Sequence, residues 1–147
     1  RDIAVRFIEY MDVGTTNGWS LDEVVSASEI RDIIGDFEKI TPENKSDVAK
    51  RYKLPNGGEV GIISSVTEPF CNDCTRARLS SDGRLFTCLF SNKGLDLLSP
   101  IRDGATDDHI TDLIREHWNA RKDRYSEERA LHSTKKKEKV EMSYIGG

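Results

Sequence analysis

The sequence predicts an α/β chain: strand-like runs at the start and in the middle, helical periodicity towards the end. Three observations carry this. DIAVRFIEY (2–10) is apolar on both alternations, the pattern of a strand in a parallel sheet that helices cover on each face. Two turn signals, NGG at 56–58 and SSDG at 80–83, each separate a pair of strand-like runs. Finally, TDDHITDLIREHWNARKDRYSEERALHS (106–133) sets Ile110, Leu113, Ile114, His117 and Trp118 on one helical stripe.

Taken in order, the first strand needs neighbours, and the next clearly similar run is far away. The chain is therefore expected to be the C-terminal piece of a longer polypeptide. MDVGTTNGWS (11–20) is a Gly/Asn/Thr-rich loop leaving the C-terminal end of that strand, where barrel-type and doubly wound proteins place their chemistry. SASEIRDIIGDFEKI (26–40) spaces Ile30, Ile33, Ile34 and Phe37 as an amphipathic helix, with Ser26 or Ser28 as its cap. TPENKSDVAK (41–50) reads as a loop, RYKLPNGGEVGIISSV (51–66) as a hairpin, and ARLS with RLFTCLF as a second hairpin. Thr106 is the expected N-cap of a long helix over 106–133, with Asp107 and Asp108 in its favourable first turn. STKKKEKV beyond it has no apolar face and should be flexible. The closing EMSYIGG should be disordered unless something holds it down.

Composition narrows the class. At 147 residues the chain can bury a real core, and its charged fraction of 33% gives a well-solvated surface. A net charge of -4 argues against a general nucleic-acid binder. Residues 121–147 nevertheless hold eight Lys or Arg against five acids, a basic tail that reads first as a solvated segment. No apolar run approaches the ~20 residues of a membrane span, and no signal peptide is visible. A soluble, cytoplasmic protein without membrane or nucleic-acid partners is expected.

The only three cysteines lie in FCNDCTRARLSSDGRLFTC (70–88). Cys71 and Cys74 are spaced so that one turn delivers both thiolates to one ion or cluster, and the hairpin can return Cys88 beside them. A disulfide between Cys71 and Cys74 does not suit the cytoplasm. Zinc would need a fourth ligand, and His109, His117 and His132 all sit on the predicted C-terminal helix without finger spacing. His117, on the apolar stripe, reads as a core histidine. An iron–sulfur cluster usually takes four cysteines, so three would leave one iron with an exchangeable position, suited to binding a substrate. Arg76 and Arg78, two apart, point to the same side of an extended segment beside the cysteine pair, and two such forks make an anion clamp suited to phosphate.

The run EPFCNDCTRARLSSDGRLFTCLF resembles the C-terminal cluster motif of the GTP 3′,8-cyclase family, the molybdenum cofactor biosynthesis protein A group of radical S-adenosylmethionine (SAM) enzymes. RFIEYMDVGTTNGW (6–19) is similar to that family's sixth barrel strand and following loop, and the chain-ending Gly-Gly matches as well. The resemblance implies that residues 1–40 are the last strand, loop and helix of an incomplete (β/α) radical-SAM barrel. It implies that 41–133 form a hairpin-rich α+β extension carrying a second Fe–S cluster, and that 134–147 form a flexible basic tail.

By the same resemblance, Cys71, Cys74 and Cys88 match the ligands of a [4Fe–4S] cluster whose open iron binds the guanine base of GTP. Arg76, Ala77 and Arg78 match a GTP-contacting segment, and Arg6 a further GTP-facing arginine. Met11 matches a SAM-contacting residue, and Gly146 and Gly147 a C-terminal diglycine that enters the active site. In the family, a 5′-deoxyadenosyl radical from SAM abstracts hydrogen from the ribose C3′ of GTP. Attack on guanine C8 then gives 3′,8-cyclo-7,8-dihydro-GTP, which cyclic pyranopterin monophosphate synthase consumes. The C-x3-C-x2-C motif of the SAM-cleaving cluster is absent from this sequence, so the chain alone is expected to be inactive. Two other readings stay open: a zinc-stabilised binding module without catalysis, and an interaction domain whose basic tail docks on a partner. Whether the chain forms a homodimer also stays open.

Overall fold

The computed structural model describes residues 3–44, 46–132 and 139–145, without the side chains of 130–132. Two compact units share the chain. The first comprises Arg1–Asp12, Trp19–Cys74 and Ser126–Ala130; the second comprises Val13–Gly18, Thr75–Tyr125 and Leu131–Gly147.

The first unit is built on a four-stranded sheet of order β1-β4-β3-β2. Strand β1 (Ala4–Ile8) runs parallel to β4 (Glu59–Ile63), with Val5 opposite Val60 and Phe7 opposite Ile62. Strands β3 (Lys50–Lys53) and β4 form the expected antiparallel hairpin, and β2 (Glu38–Lys39) adds to β3. The turn closes at Gly57, whose φ of 84° places it in the left-handed region. Val60 and Ile62 share one face of β4 and join Tyr52, Ala27 and Ile30 in the core.

Helix α1 (Ala27–Ile34) supplies the last two of those residues. Its cap is Ser26: the hydroxyl accepts from the Glu29 backbone N–H, and the Glu29 carboxylate accepts from the Ser26 N–H, a complete capping box. The helix does not continue to residue 40 as its periodicity predicts. Gly35, with φ 81°, ends it, and Phe37 leaves the helical stripe to meet the Tyr52 ring edge-on at 4.7 Å. The first strand, expected to need further neighbours, has one in this chain, β4. β1 lies at the sheet edge, and Val5 and Phe7 keep 47% and 40% of their surface exposed among the described residues.

The second unit carries an antiparallel sheet of order β5-β6-β7. β5 (Arg78–Leu79) and β6 (Arg84–Phe86) form the second expected hairpin, and β7 (Leu95–Asp96) is an addition. Gly94 lies against β6, where a Cβ would fall 2.9 Å from the Phe86 ring. Three helices follow, α2 (Leu98–Arg102), α3 (Asp107–Asn119) and α4 (Tyr125–His132). Thr106 caps α3 by accepting from the His109 N–H. The single long helix predicted over 106–133 is thus broken at 120–124, because tertiary partners claim the segment. The Asp123 carboxylate accepts from the Thr87 hydroxyl at 2.7 Å, the Arg121 guanidinium sits 4.4 Å from the Trp118 ring, and Tyr125 stacks on Phe90 at 4.5 Å. No helix among the described residues is long and apolar enough to cross a membrane.

Candidate functional site

The loop after β4 leads into the cysteine motif, and two carboxylates set its course. Glu9, just beyond β1, is 2% exposed. It accepts the N–H of Ala27 at 2.8 Å, of Val66 at 2.7 Å and of Thr67 at 2.9 Å, together with the Thr67 hydroxyl. One buried carboxylate thereby ties the end of β1, the start of α1 and the exit of β4 into one junction. Glu68, the acid of EPFC, is gripped by Arg31 at 2.8 Å and by Lys50. These two cations, Arg31 foremost, hold its carboxyl down to about 2 from the ordinary 4.5.

Because the folded-state value is depressed, this bracing is present above pH 4.5 and is lost as pH falls towards 2. Amide exchange at Asp73 and Cys74, corrected for intrinsic rate, is accordingly expected to quicken across that window. A Glu68→Gln variant should show no such step.

The segment that Glu68 anchors enters a single 3-10 turn, Cys71–Asp73, with the Cys74 N–H donating to the Cys71 carbonyl at 3.3 Å. One turn therefore delivers Cys71 and Cys74, as the spacing predicts. Cys88 follows β6 in the second unit. All three cysteines are half-buried and outside any disulfide. Among the described residues, no group of three or more His, Cys, Asp or Glu side chains is arranged to hold a metal ion. In donor chemistry the trio fits a thiolate-bound cluster; in arrangement, only the first two are on a common turn.

Arg76 and Arg78 are both half-buried while Thr75, Ala77 and Leu79 are exposed. This alternation puts both guanidinium stems on one side of the extended segment, as expected. The Arg76 Nε is wholly shielded from water. Arg6, in β1, reaches across the bare backbone of Gly61, where a Cβ would lie 2.5 Å from Arg6 Cδ, and donates to Glu59 at 2.9 Å. Glu59 is shared with Arg51, whose Nη2 lies 2.8 Å away. Met11 is half-buried between exposed Tyr10 and buried Asp12. Gly146 and Gly147 lie outside the described residues.

Beside Met11, Asp12 accepts from Arg129 Nε at 2.9 Å, a pair in which both side chains are less than a tenth exposed. Arg129 Nη1 also donates to the Ser65 carbonyl, and the Trp19 indole N–H donates to the Tyr10 carbonyl at 2.7 Å. Neither Glu9 nor the Asp12–Arg129 pair stands out in the sequence reading. The available signal was two acids, IEYMD, interrupting an apolar strand pattern.

Comparison with known proteins adds a family. The model described as Molybdenum Cofactor Synthesis C matches residues 3–127. A GTP 3′,8-cyclase of Staphylococcus haemolyticus is 46% identical over 154 residues, covering 100% of this chain and 45% of its own length. One from Synechococcus sp. is 41% identical over 150 residues, with 100% and 44% covered. Another from Acidothermus cellulolyticus is 43% identical over 171 residues, with 97% and 47% covered. The chain thus spans less than half the length of these curated relatives.

Proposed function

The chain belongs to the Molybdenum Cofactor Synthesis C family, and from that membership we propose that it is the GTP-holding C-terminal portion of a GTP 3′,8-cyclase, the activity its relatives are named for. The reaction so assigned converts GTP to 3′,8-cyclo-7,8-dihydro-GTP by SAM-derived radical chemistry. With no C-x3-C-x2-C in the sequence, SAM cleavage falls to the remainder of the complete enzyme, and this portion alone is inactive. Met11 would contact SAM. The product would pass to cyclic pyranopterin monophosphate synthase.

One observation carries the reading: a braced turn bearing Cys71 and Cys74 runs directly into an extended segment with Arg76 and Arg78 on one side. Cys71, Cys74 and Cys88 would hold a [4Fe–4S] cluster, which when bound supplies a Lewis-acidic iron with one open position for the guanine base. Arg76 and Arg78 hold the triphosphate through charge-assisted forks, and Ala77 belongs to the same GTP-contacting segment. Arg6 reaches the nucleotide by sharing or leaving Glu59. Fixing GTP at both ends restricts which C–H bond a radical can meet, the positional control such chemistry requires. By the family resemblance Gly146 and Gly147 would enter the pocket, where residues without side chains fit a narrow space.

The test is a GTP titration of the complete polypeptide and of its Arg76→Ala, Arg78→Ala double variant. Loss of two charge-assisted contacts is expected to weaken binding by about 100-fold. Equal affinity would remove the arginines from the site. Stoichiometric zinc in the purified protein would favour the binding-module reading instead.

A further inference from the structure

Residues 139–145 are held within the second unit by contacts that the proposed chemistry does not use. The Glu141 carboxylate accepts the Thr15 backbone N–H at 2.7 Å, the Thr15 hydroxyl at 2.9 Å and the Thr16 hydroxyl at 3.2 Å. Those donors hold its carboxyl below the usual range, the Thr15 N–H first among them. The seat exists because residue 14 is glycine. Gly14 is buried with φ 71°, and a Cβ there would fall 2.1 Å from Glu141 Oε2. Any larger residue would both strain the backbone and expel the carboxylate.

Past Glu141 the chain closes one 3-10 turn, Met142–Ile145, with the Tyr144 N–H donating to the Glu141 carbonyl at 3.1 Å. Tyr144 then donates its hydroxyl to Asp82 in the β5–β6 turn, and its ring meets Phe86 edge-on at 6.3 Å. Ile145 is 1% exposed. The latch, the turn and the buried plug all precede Gly146 directly. They hold Ile145, the residue that precedes Gly146, in place.

We propose that Glu141 is a positioning residue: by seating in the Gly14–Thr16 loop it aims the C-terminal diglycine. The inference rests on the reading of Gly146–Gly147 as active-site residues. Glu141 touches no reacting atom; it acts through the turn that follows it. Misplacing a positioning element by about 1 Å costs on the order of 100-fold in rate, so the latch should register in kcat rather than in GTP affinity.

The experiment compares the complete wild-type polypeptide with Glu141→Ala, Gly14→Ala, Glu141→Gln and a deletion of Gly146 and Gly147. Cyclisation kcat, KM for GTP, bound iron and amide exchange over 139–145 are measured for each. Glu141→Ala and Gly14→Ala should lower kcat about 100-fold, leave KM and iron content unmoved, and speed exchange of the 139–145 amides. Glu141→Gln, which keeps one acceptor oxygen, should restore part of the rate. If deleting the diglycine abolishes turnover while Glu141→Ala turns over normally, the latch is overturned and the diglycine reading stands. If the deletion itself has no effect, that reading fails first and the latch fails with it. Should the alanine variants not fold, Thr16→Val decides, since it removes a single donor from an exposed residue: a lower kcat with unmoved KM supports the latch, and an unchanged kcat overturns it.

Discussion

A Cys88→Ser variant of the complete polypeptide is expected to lose about half of its bound iron and essentially all cyclisation. This chain has three cysteines, so within it no other thiol can take the place of a lost ligand. No described cluster of histidines and acids can substitute for it. Serine is close to cysteine in size and position 88 is only half-buried, so the hairpin should survive. Iron and sulfide analysis, with the visible absorption band, reports the cluster, and thermal unfolding reports the fold. Full iron content in the variant would take Cys88 out of the ligand set. Cys71→Ser and Cys74→Ser should behave alike, because a site with an already exchangeable iron position has little to spare.

Glu9→Leu is expected to destabilise the first unit by about 3–5 kcal/mol. The carboxylate satisfies three backbone N–H groups and a hydroxyl at 2% exposure. Leucine fills a similar volume yet leaves all four donors without an acceptor. Each unsatisfied buried donor costs about 1–3 kcal/mol, partly relieved by relaxation or an entering water. With typical domain stabilities of about 5–15 kcal/mol, that is a large fraction of the whole. Amide exchange at Ala27, Val66 and Thr67 is the direct readout, since these N–H groups lose their acceptor. Unchanged protection there would refute the role given to Glu9. The same variant should loosen the approach to Cys71, because Thr67 immediately precedes the Glu68 anchor.

Local chemistry was legible in the sequence and distant pairing was not. Both hairpins could be read because Gly57 and Gly83 mark their own turns, with φ values of 84° and 75°. Ser26 and Thr106 declared themselves as caps for the same reason. The apolar period Ile30, Ile33, Ile34, Phe37 ran on through Gly35, so the helix end was hidden by a residue that belongs to a ring contact with Tyr52. The break at 120–124 was invisible because its causes, Thr87 and Phe90, lie over 30 residues away. β7 was missed because two residues carry no period. The end of the chain was expected to be loose unless held. For Lys139–Ile145 the holders are Tyr125, beneath the Lys139 ammonium at 5.0 Å, together with Thr15, Thr16 and Asp82. Of the candidate site, the thiol pair and the arginine alternation were readable from spacing. Glu9 was not, since its partners at 27, 66 and 67 only become neighbours once β1 and β4 pair.

The central claim is that the Cys71, Cys74, Cys88 set and the Arg76–Arg78 pair grip the two ends of one nucleotide. Electron paramagnetic resonance of the reduced complete polypeptide, recorded with and without saturating GTP, tests it most directly. GTP should shift the signal of the cluster proposed at these cysteines, and the shift should vanish in the Cys88→Ser variant. Identical spectra under conditions where calorimetry shows GTP bound would contradict it.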